Sequence, residues 1–421
     1  MAQVSSLRIE ENDLANLDVF VRGGQHEIWQ RMRAEEPIHW NPGNDRFIPF
    51  WSVTKYADLI AVSRDTATYS SQQGISMAAN PADPATLVGA GKMMIITDPP
   101  RHVRLRRLVN KGFTPRATAL LEPSVRAITN TIIDDVAPRG SCDFVTDVAA
   151  LLPLAVICEM MGIPHEDWPM MFELTNQGLG SEDPEYQTVP GSGPETAARS
   201  RREMFAYFAR QAEERRRERR DDLVSVLVGS EVDGESLSEE ELLFFCQLLI
   251  LAGNETTRNA ISGGLLALFE HPQERARLQN DPALLPTAVE EILRWTSPVA
   301  HMMRYVTQDT VLGGQPLRAG ERVLLWYPSA NRDEEVFPNA NTFDVGRTPN
   351  EHIAFGIGEH FCLGASFARL ELRVMFETLL ARLPDIAPAG PVDRLRSGFI
   401  GGIKHMPVQF TPQPSSVYEM V

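Results

Sequence analysis

Ten residues near the end of the chain, Phe355-Gly356-Ile357-Gly358-Glu359-His360-Phe361-Cys362-Leu363-Gly364, place one cysteine after two glycines and a histidine. An apolar, helix-like run follows. Free cysteine is most often a small buried hydrophobe, and Cys362 taken alone fits that description. A cysteine at a loop-to-helix junction can also serve as a ligand. Backbone N–H groups and the helix N-terminus favour negative charge there, and the thiolate rather than the thiol binds metal. Glycines nearby let the backbone pass close to a flat group that a Cβ would obstruct.

Three further groupings have spacing that bears on chemistry. Ala252-Gly253-Asn254-Glu255-Thr256-Thr257 interrupts a long apolar run with residues that weaken a helix. A threonine hydroxyl there can bond the carbonyl four residues back and open a local bulge. A buried carboxylate beside it is costly without a purpose; the bland alternative is a kink tolerated by packing. Asp98-Pro99-Pro100 is a helix-start signature that sets His102 and Arg106 on one face at i, i+4, although a surface basic helix reads the same way. Glu291 and Arg294 stand at i, i+3, the spacing of an ion pair worth little when exposed. Arg347, in the irregular stretch 341–347, could complete a network with them.

The elements that must position these groups are mostly helical. Ser238 and Glu241 fit a capping box, and apolar residues continue to Phe269 before His271-Pro272 stops the pattern. A helix of about thirty residues spans roughly 45 Å and, being this apolar, must cross the core. Short alternating stretches at 47–53 and 304–326 read as strands with Gly-Gly and Ala-Gly turns. Residues 68–94 and 178–196 read as long loops, which in a compact domain are functional or mobile. The charged run 213–222 reads as a solvated helix face.

Composition excludes several function classes. Forty Lys and Arg against 56 Asp and Glu give a net charge of −16, which argues against nucleic-acid binding and anionic membranes. The four cysteines, Cys142, Cys158, Cys246 and Cys362, are far apart and suggest neither a disulfide framework nor a zinc cluster. The N-terminal residues lack the zones of a signal peptide, and the apolar run 242–253 is too short to span a bilayer. The expectation is a cytoplasmic protein without stable membrane insertion.

Individually weak, these signals match one family in order and spacing. The chain resembles a bacterial class I cytochrome P450, a haem-thiolate monooxygenase, from about residue 40 to 410. Residues 355–364 satisfy the family pattern FGxGxHxCxG at every fixed position. The resemblance implies a mainly α fold with small β-sheets, triangular in outline. A helical domain adjoins a β-rich region, with haem b between the long central helix and the cysteine-loop helix. It implies a single domain over 1–421: an N-terminal β-rich part (about 35–70), a helical core (98–300), a β and meander region (301–350), the cysteine loop and final helix (351–384), and a C-terminal β segment (394–412).

By the same resemblance, Cys362 is the iron ligand, and His102, Arg106, Arg304 and His360 pair with the haem propionates. Phe355 and Gly364 flank the ligand. Ala252 and Gly253 leave room for O2 above the haem. Thr256 and Glu255 carry protons to the site of oxygen activation, and Glu291, Arg294 and Arg347 hold the proximal side. The implied reaction inserts one oxygen atom of O2 into a C–H bond. The chain carries no flavin, nicotinamide or iron–sulfur fingerprint, so electrons come from a ferredoxin and an NAD(P)H-ferredoxin reductase. Arg101, Arg104, Arg107, Lys111 and Arg116 form a candidate docking patch; a solvated face is the bland reading.

Substrate-facing positions carried over from the family are Met77, Met93, Met94, Leu248, Val299, Met302, Phe399 and Ile400, with Met170, Met171 and Phe172 nearby. A Met-rich apolar pocket suits a lipid-like small molecule. The segments LAGNETTRNAI, SANRDE, HIAFG and GIKHMPV are similar to actinobacterial enzymes that hydroxylate methyl-branched lipids and sterol side chains at a terminal carbon, and the expected substrates are methyl-branched lipids, terpenoids or sterol side chains. Alternatives are a peroxide-using peroxygenase, which typically lacks the acid–threonine pair retained here, and a non-catalytic haem-binding sensor.

Overall fold

The computed structural model describes residues 13–77, 89–232 and 234–414. Its axis is the helix Glu239–Glu270, 32 residues long, or about 48 Å at 1.5 Å per residue. The capping box starts it: Ser238 Oγ accepts from the Glu241 backbone N–H at 3.3 Å, and Glu241 Oε2 accepts from the Ser238 N–H at 2.8 Å. Its middle and C-terminal half are buried almost all round, because helices pack on several of its sides. Gly264 makes one approach possible: a Cβ there would lie 2.7 Å from Ile292 Cγ2 and 2.8 Å from Phe376 Cζ.

The helix remains continuous through Ala252–Thr257, where the sequence suggests a bulge. Thr256 Oγ1 does bond the Ala252 carbonyl, at 2.8 Å, but the helical run is unbroken. Neighbours on both sides fix the helix, and tertiary packing overrides the weak propensity.

Around this axis stand Pro115–Val136, Leu151–Met161, Trp168–Leu179, Gly193–Arg217, Leu285–Thr296 and the cysteine-loop helix Ala365–Arg382. The β-rich side is a five-stranded sheet in the order Ile38–Asn41, Phe50–Val53, Arg322–Trp326, His301–Val306, Tyr69–Ser70. Its one parallel pairing joins Arg322–Trp326 to Phe50–Val53, so the two β-rich parts of the sequence meet in one sheet. Gly313 and Gly314, both left-handed, turn the hairpin between Thr310–Leu312 and Gln315–Leu317.

The run 213–222 departs from the solvated face suggested by its composition. Arg215 is fully buried, donating to Asp222 Oδ2 at 2.7 Å and to the Gly162 carbonyl at 2.9 Å. The chain folds back after Arg217, so that Asp222 from the turn joins Glu214 of the helix itself, 3.3 Å from Arg215 Nη1, in partnering the buried guanidinium. Of the loop 68–94, residues 78–88 lie outside the described residues. Among the described residues, no helix is long and apolar enough to cross a membrane.

Candidate active site

The cysteine loop is a tight, internally bonded turn. The Cys362 N–H donates to the Phe355 carbonyl at 2.8 Å, and Gly356 N–H to Ile353 at 2.9 Å. Gly356 and Gly358 have φ of 68° and 72°, a region costly for any residue with a Cβ. A Cβ on Gly358 would also stand 2.8 Å from the Ser63 carbonyl. Both glycines therefore serve the turn, and Gly358 also its packing on the helix Tyr56–Arg64. Gly356 and Gly364 both line the cavity beyond: a Cβ on Gly356 would meet nothing nearer than 3.6 Å, and one built on Gly364 has no atom within 4 Å. The making of space for a flat group thus falls to these two glycines of the motif rather than to Gly358.

Cys362 lies three residues before the helix Ala365–Arg382 and faces a cavity walled across the central helix by Ala252, Gly253, Thr256 and Thr257. Burial pushes its thiol up, while the Gly364 N–H, Arg106 and Arg369 oppose that shift. The other cysteines differ. Cys158 and Cys246 are buried in apolar packing and pushed up to about 12, as inert core thiols.

At one edge of the cavity four basic side chains converge. The rings of His102 and His360 have centroids 4.3 Å apart. Burial, then Arg304, His102 and Arg106, push His360 down to about 2. Burial and the two arginines push His102 down to about 4, with Asp98 opposing. His102 Nδ1 is buried without a partner, and Arg304 donates only to the Met303 carbonyl, at 2.8 Å. Asp98 is occupied by the Ser70 hydroxyl at 2.5 Å and the Ser71 N–H at 2.9 Å. Among the described residues, none of these four basic groups has an ion-pair partner. A buried cation without an anion, as Arg304 is here, is unfavourable; the two carboxylates of a haem would supply the missing charge to Arg304 and Arg106, with the neutral imidazoles of His102 and His360 as hydrogen-bonding partners. The residues present fit that group. Arg106 adds a second role, clasping the cysteine loop through the Phe361 carbonyl at 2.6 Å.

The acid and the threonine of the central helix do not face the same way. Thr256 lines the cavity; Glu255, 100° round the helix, is buried beneath the helix Trp168–Leu179. It is held by Arg258, which also donates to Asn176 Oδ1 at 2.6 Å. Burial pushes the Glu255 carboxyl up, and Arg258 opposes it. Sequence reasoning paired Glu255 with Thr256 and passed over Arg258, although its i, i+3 spacing was legible. Gly253 packs its Cα face on Ile157, where a Cβ would meet side-chain atoms at 3.0 Å. Its smallness therefore serves helix contact as much as free space, whereas Ala252 opens to the cavity.

Glu291, Arg294 and Arg347 do meet. Arg294 binds both Glu291 oxygens, at 2.7 and 2.8 Å, and Arg347 Nε donates to Oε2 at 3.1 Å. The pair that sequence alone reads as a surface i, i+3 bridge is wholly buried.

The substrate positions divide. Met94, Leu248, Val299 and Met302 line the cavity. Met77 packs instead on the N-terminal apolar cluster, its backbone N–H bonded to His301 Nε2 at 2.9 Å. Met93, Phe399 and Ile400 do not line it; Ile400 is buried and bridged to Val299, while Phe399 stands edge-on to His301. Met171 is core, with Met170 and Phe172 packed against it. Glu371, unmarked by any motif, also reaches the cavity; burial pushes it up to about 8, and its Oε2 has no partner. In the expected docking patch, Arg101 is engaged with Glu241, Arg107 and Arg116 are exposed, and the Lys111 side chain lies outside the described residues.

Comparison with known proteins agrees with this geometry. The Cytochrome P450 family profile matches residues 188–384. A methyl-branched lipid omega-hydroxylase of Mycobacterium tuberculosis is 42% identical over 422 residues, covering 97% of this chain and 95% of the relative. The chain belongs to the cytochrome P450 family. A steroid C26-monooxygenase of Mycolicibacterium smegmatis is 40% identical over 409 residues, 95% of this chain and 96% of that one. Among solved structures, Mycobacterium marinum cytochrome P450 CYP268A2 in complex with pseudoionone matches with a TM-score of 0.89 at 37% identity, covering 96% of this chain and 100% of the other. The cytochrome P450 assignment makes this chain an oxygen-incorporating oxidoreductase, and it accounts for the convergence of Cys362, the basic quartet and Thr256 on one cavity.

Proposed function

We propose that this cytochrome P450 hydroxylates a terminal carbon of an apolar, lipid-like molecule: a methyl-branched chain, a terpenoid or a sterol side chain. The observation that carries this reading is a single cavity that holds Cys362, the Thr256 hydroxyl and a wall of Met94, Leu248, Val299 and Met302. Haem b, once bound, supplies oxygen activation and the insertion of one oxygen atom into the C–H bond.

The chain's own residues do the rest. Cys362 is the thiolate ligand, with the Gly364 N–H and the charges of Arg106 and Arg369 favouring its anion. His102, Arg106, Arg304 and His360 hold the propionates. Thr256 presents a hydroxyl that now bonds the Ala252 carbonyl and can turn to donate into the cavity. Glu255 exchanges protons with that hydroxyl after parting from Arg258, and the buried ion pair holds it in reserve until then. The apolar wall binds and orients the substrate and excludes water, and Met side chains adapt to a branched chain. Support for the substrate class comes from the relatives named for methyl-branched lipids and steroids. Electrons come from a ferredoxin reduced by an NAD(P)H-dependent reductase in the cytoplasm, docking at the face that bears the exposed Arg107 and Arg116.

The reading is tested by two spectra of the purified protein. The reduced carbon-monoxide complex should carry the red-shifted Soret band of thiolate ligation, and Cys362→Ala should lose it. A titration with branched fatty acids, terpenoids and sterols should produce the spin-state shift of substrate entry. A tight shift confined to small aromatic compounds overturns the lipid assignment.

A further inference from the structure

A second cavity, of about 220 Å³, lies on a neighbouring face of the central helix, between the start of the helix Gln25–Glu35 and the C-terminal hairpin of Asp393–Arg394 and Ile403–His405. Two arginines reach it from different parts of the chain. Arg332 lies over the Trp295 ring, 3.8 Å from its centroid, and donates to the Trp295 carbonyl at 3.3 Å; its Nε is buried without a partner. Arg394 has no hydrogen-bond or ion-pair partner among the described residues. Among the described residues, the one carboxylate on the rim, Glu270, is exposed and pairs with neither.

This is unusual in a chain with 56 acidic and 40 basic residues. The deeply buried arginines of the helical core have an acid: Arg215 with Asp222, Arg258 with Glu255, Arg294 with Glu291; the half-buried Arg332 and Arg394 have none among the described residues. Here positive potential accumulates instead. Burial and the charges of Arg294 and Arg33 push Arg332 down to about 9, with Glu291 and Glu270 opposing. Burial and Arg332, Arg394 and Arg33 hold His26 well below its ordinary value. A half-buried cation whose buried Nε has no partner, as in Arg332, is destabilising, and an anion in the cavity offsets that cost. Guanidinium groups present paired N–H donors that match the oxygens of a carboxylate or phosphate.

We propose that this cavity binds a small oxyanion of phosphate size between Arg332 and Arg394, tying the first long helix and the C-terminal hairpin to the central helix. The site is separate from the Cys362 cavity and stands independently of the substrate assignment.

The test uses the haem-loaded protein titrated with inorganic phosphate, against potassium chloride at matched ionic strength. The melting temperature should rise saturably with phosphate alone, and the phosphorus resonance should broaden on binding. Arg394→Gln should weaken the apparent affinity about tenfold or more, as expected for loss of charged hydrogen bonds. Arg394 has no partner to lose, so this variant should fold. Arg318→Gln, at an exposed arginine elsewhere, should leave the affinity unchanged. A response that fails to saturate, that chloride reproduces, or that survives undiminished in Arg394→Gln overturns the proposal.

Discussion

Glu291→Gln isolates the energetics of the buried network on the proximal side. Glu291 is fully buried and accepts five hydrogen bonds: Arg294 Nε and Nη2 at 2.7 and 2.8 Å, Arg347 Nε at 3.1 Å, Asn350 Nδ2 at 3.2 Å and the Asp344 N–H at 2.9 Å. Both guanidiniums also spend their remaining donors on backbone carbonyls. Arg294 binds those of Asn331 and Ala340, and Arg347 those of Pro338, Asn339 and Thr342. The amide is nearly isosteric but leaves two buried cations facing no anion. An exposed pair of this spacing is worth about 0–1 kcal/mol; breaking a buried one costs about 3–5 kcal/mol. The unfolding entropy of a chain this long, at ~2.1 cal/mol/K per residue, is about 0.9 kcal/mol/K. The melting temperature should therefore fall by about 3–6 °C. The assay is thermal unfolding of the haem-loaded protein, followed by far-ultraviolet circular dichroism and by loss of the Soret band. Arg347→Gln added to Glu291→Gln should cost less than the sum of the two single changes, because it removes one orphaned charge. A fall below about 1 °C for Glu291→Gln, or strict additivity in the double variant, would refute the reasoning.

Thr256→Ala removes the one hydroxyl of the acid–threonine pair that faces the cavity, so product per reductant consumed should fall about tenfold or more while haem binding persists; unchanged coupling would exclude Thr256 from proton delivery. His405 bridges Asp143 Oδ2 at 2.5 Å and Glu185 Oε1 at 2.9 Å, and these hydrogen bonds raise its imidazole above its ordinary value of 6.5 despite partial burial. A raised folded-state value gives stability that is full below about 6.5 and lost as pH rises through the folded value. His405→Gln should accordingly lower the melting temperature at pH 6 and much less at pH 9, and an equal loss at both would count against the charged bridge. Gly264→Ala sets helix propensity, a gain of about 1 kcal/mol, against overpacking on Ile292 and Phe376, a cost of about 1–3 kcal/mol. Net destabilisation in a thermal melt is expected, and a more stable variant would show that the helices can move apart freely.

The sequence by itself carried the cysteine loop, the central helix with its capping box, the His102–Arg106 face and the family that joins them. These signals are local: a turn that demands glycine, a cap three residues from its partner, and a spacing of three or four along one helix. Local patterns are legible because neighbours in sequence are neighbours in space. Tertiary structure decided how side chains were shared among elements distant in sequence. Glu255 turned from Thr256 toward Arg258 because a buried carboxylate takes the nearest cation, and Arg258 is itself fixed by Asn176 of another helix. Gly253 answered to Ile157 and Gly358 to Ser63, contacts that no spacing reveals. Met77 left the expected substrate wall for the N-terminal cluster, since apolar side chains are drawn to whichever apolar surface lies closest. The charges of Arg215, Glu291 and Arg332 looked alike on the page of residues. Packing buried the first two as paired supports and left the third half-buried and, among the described residues, without an acid.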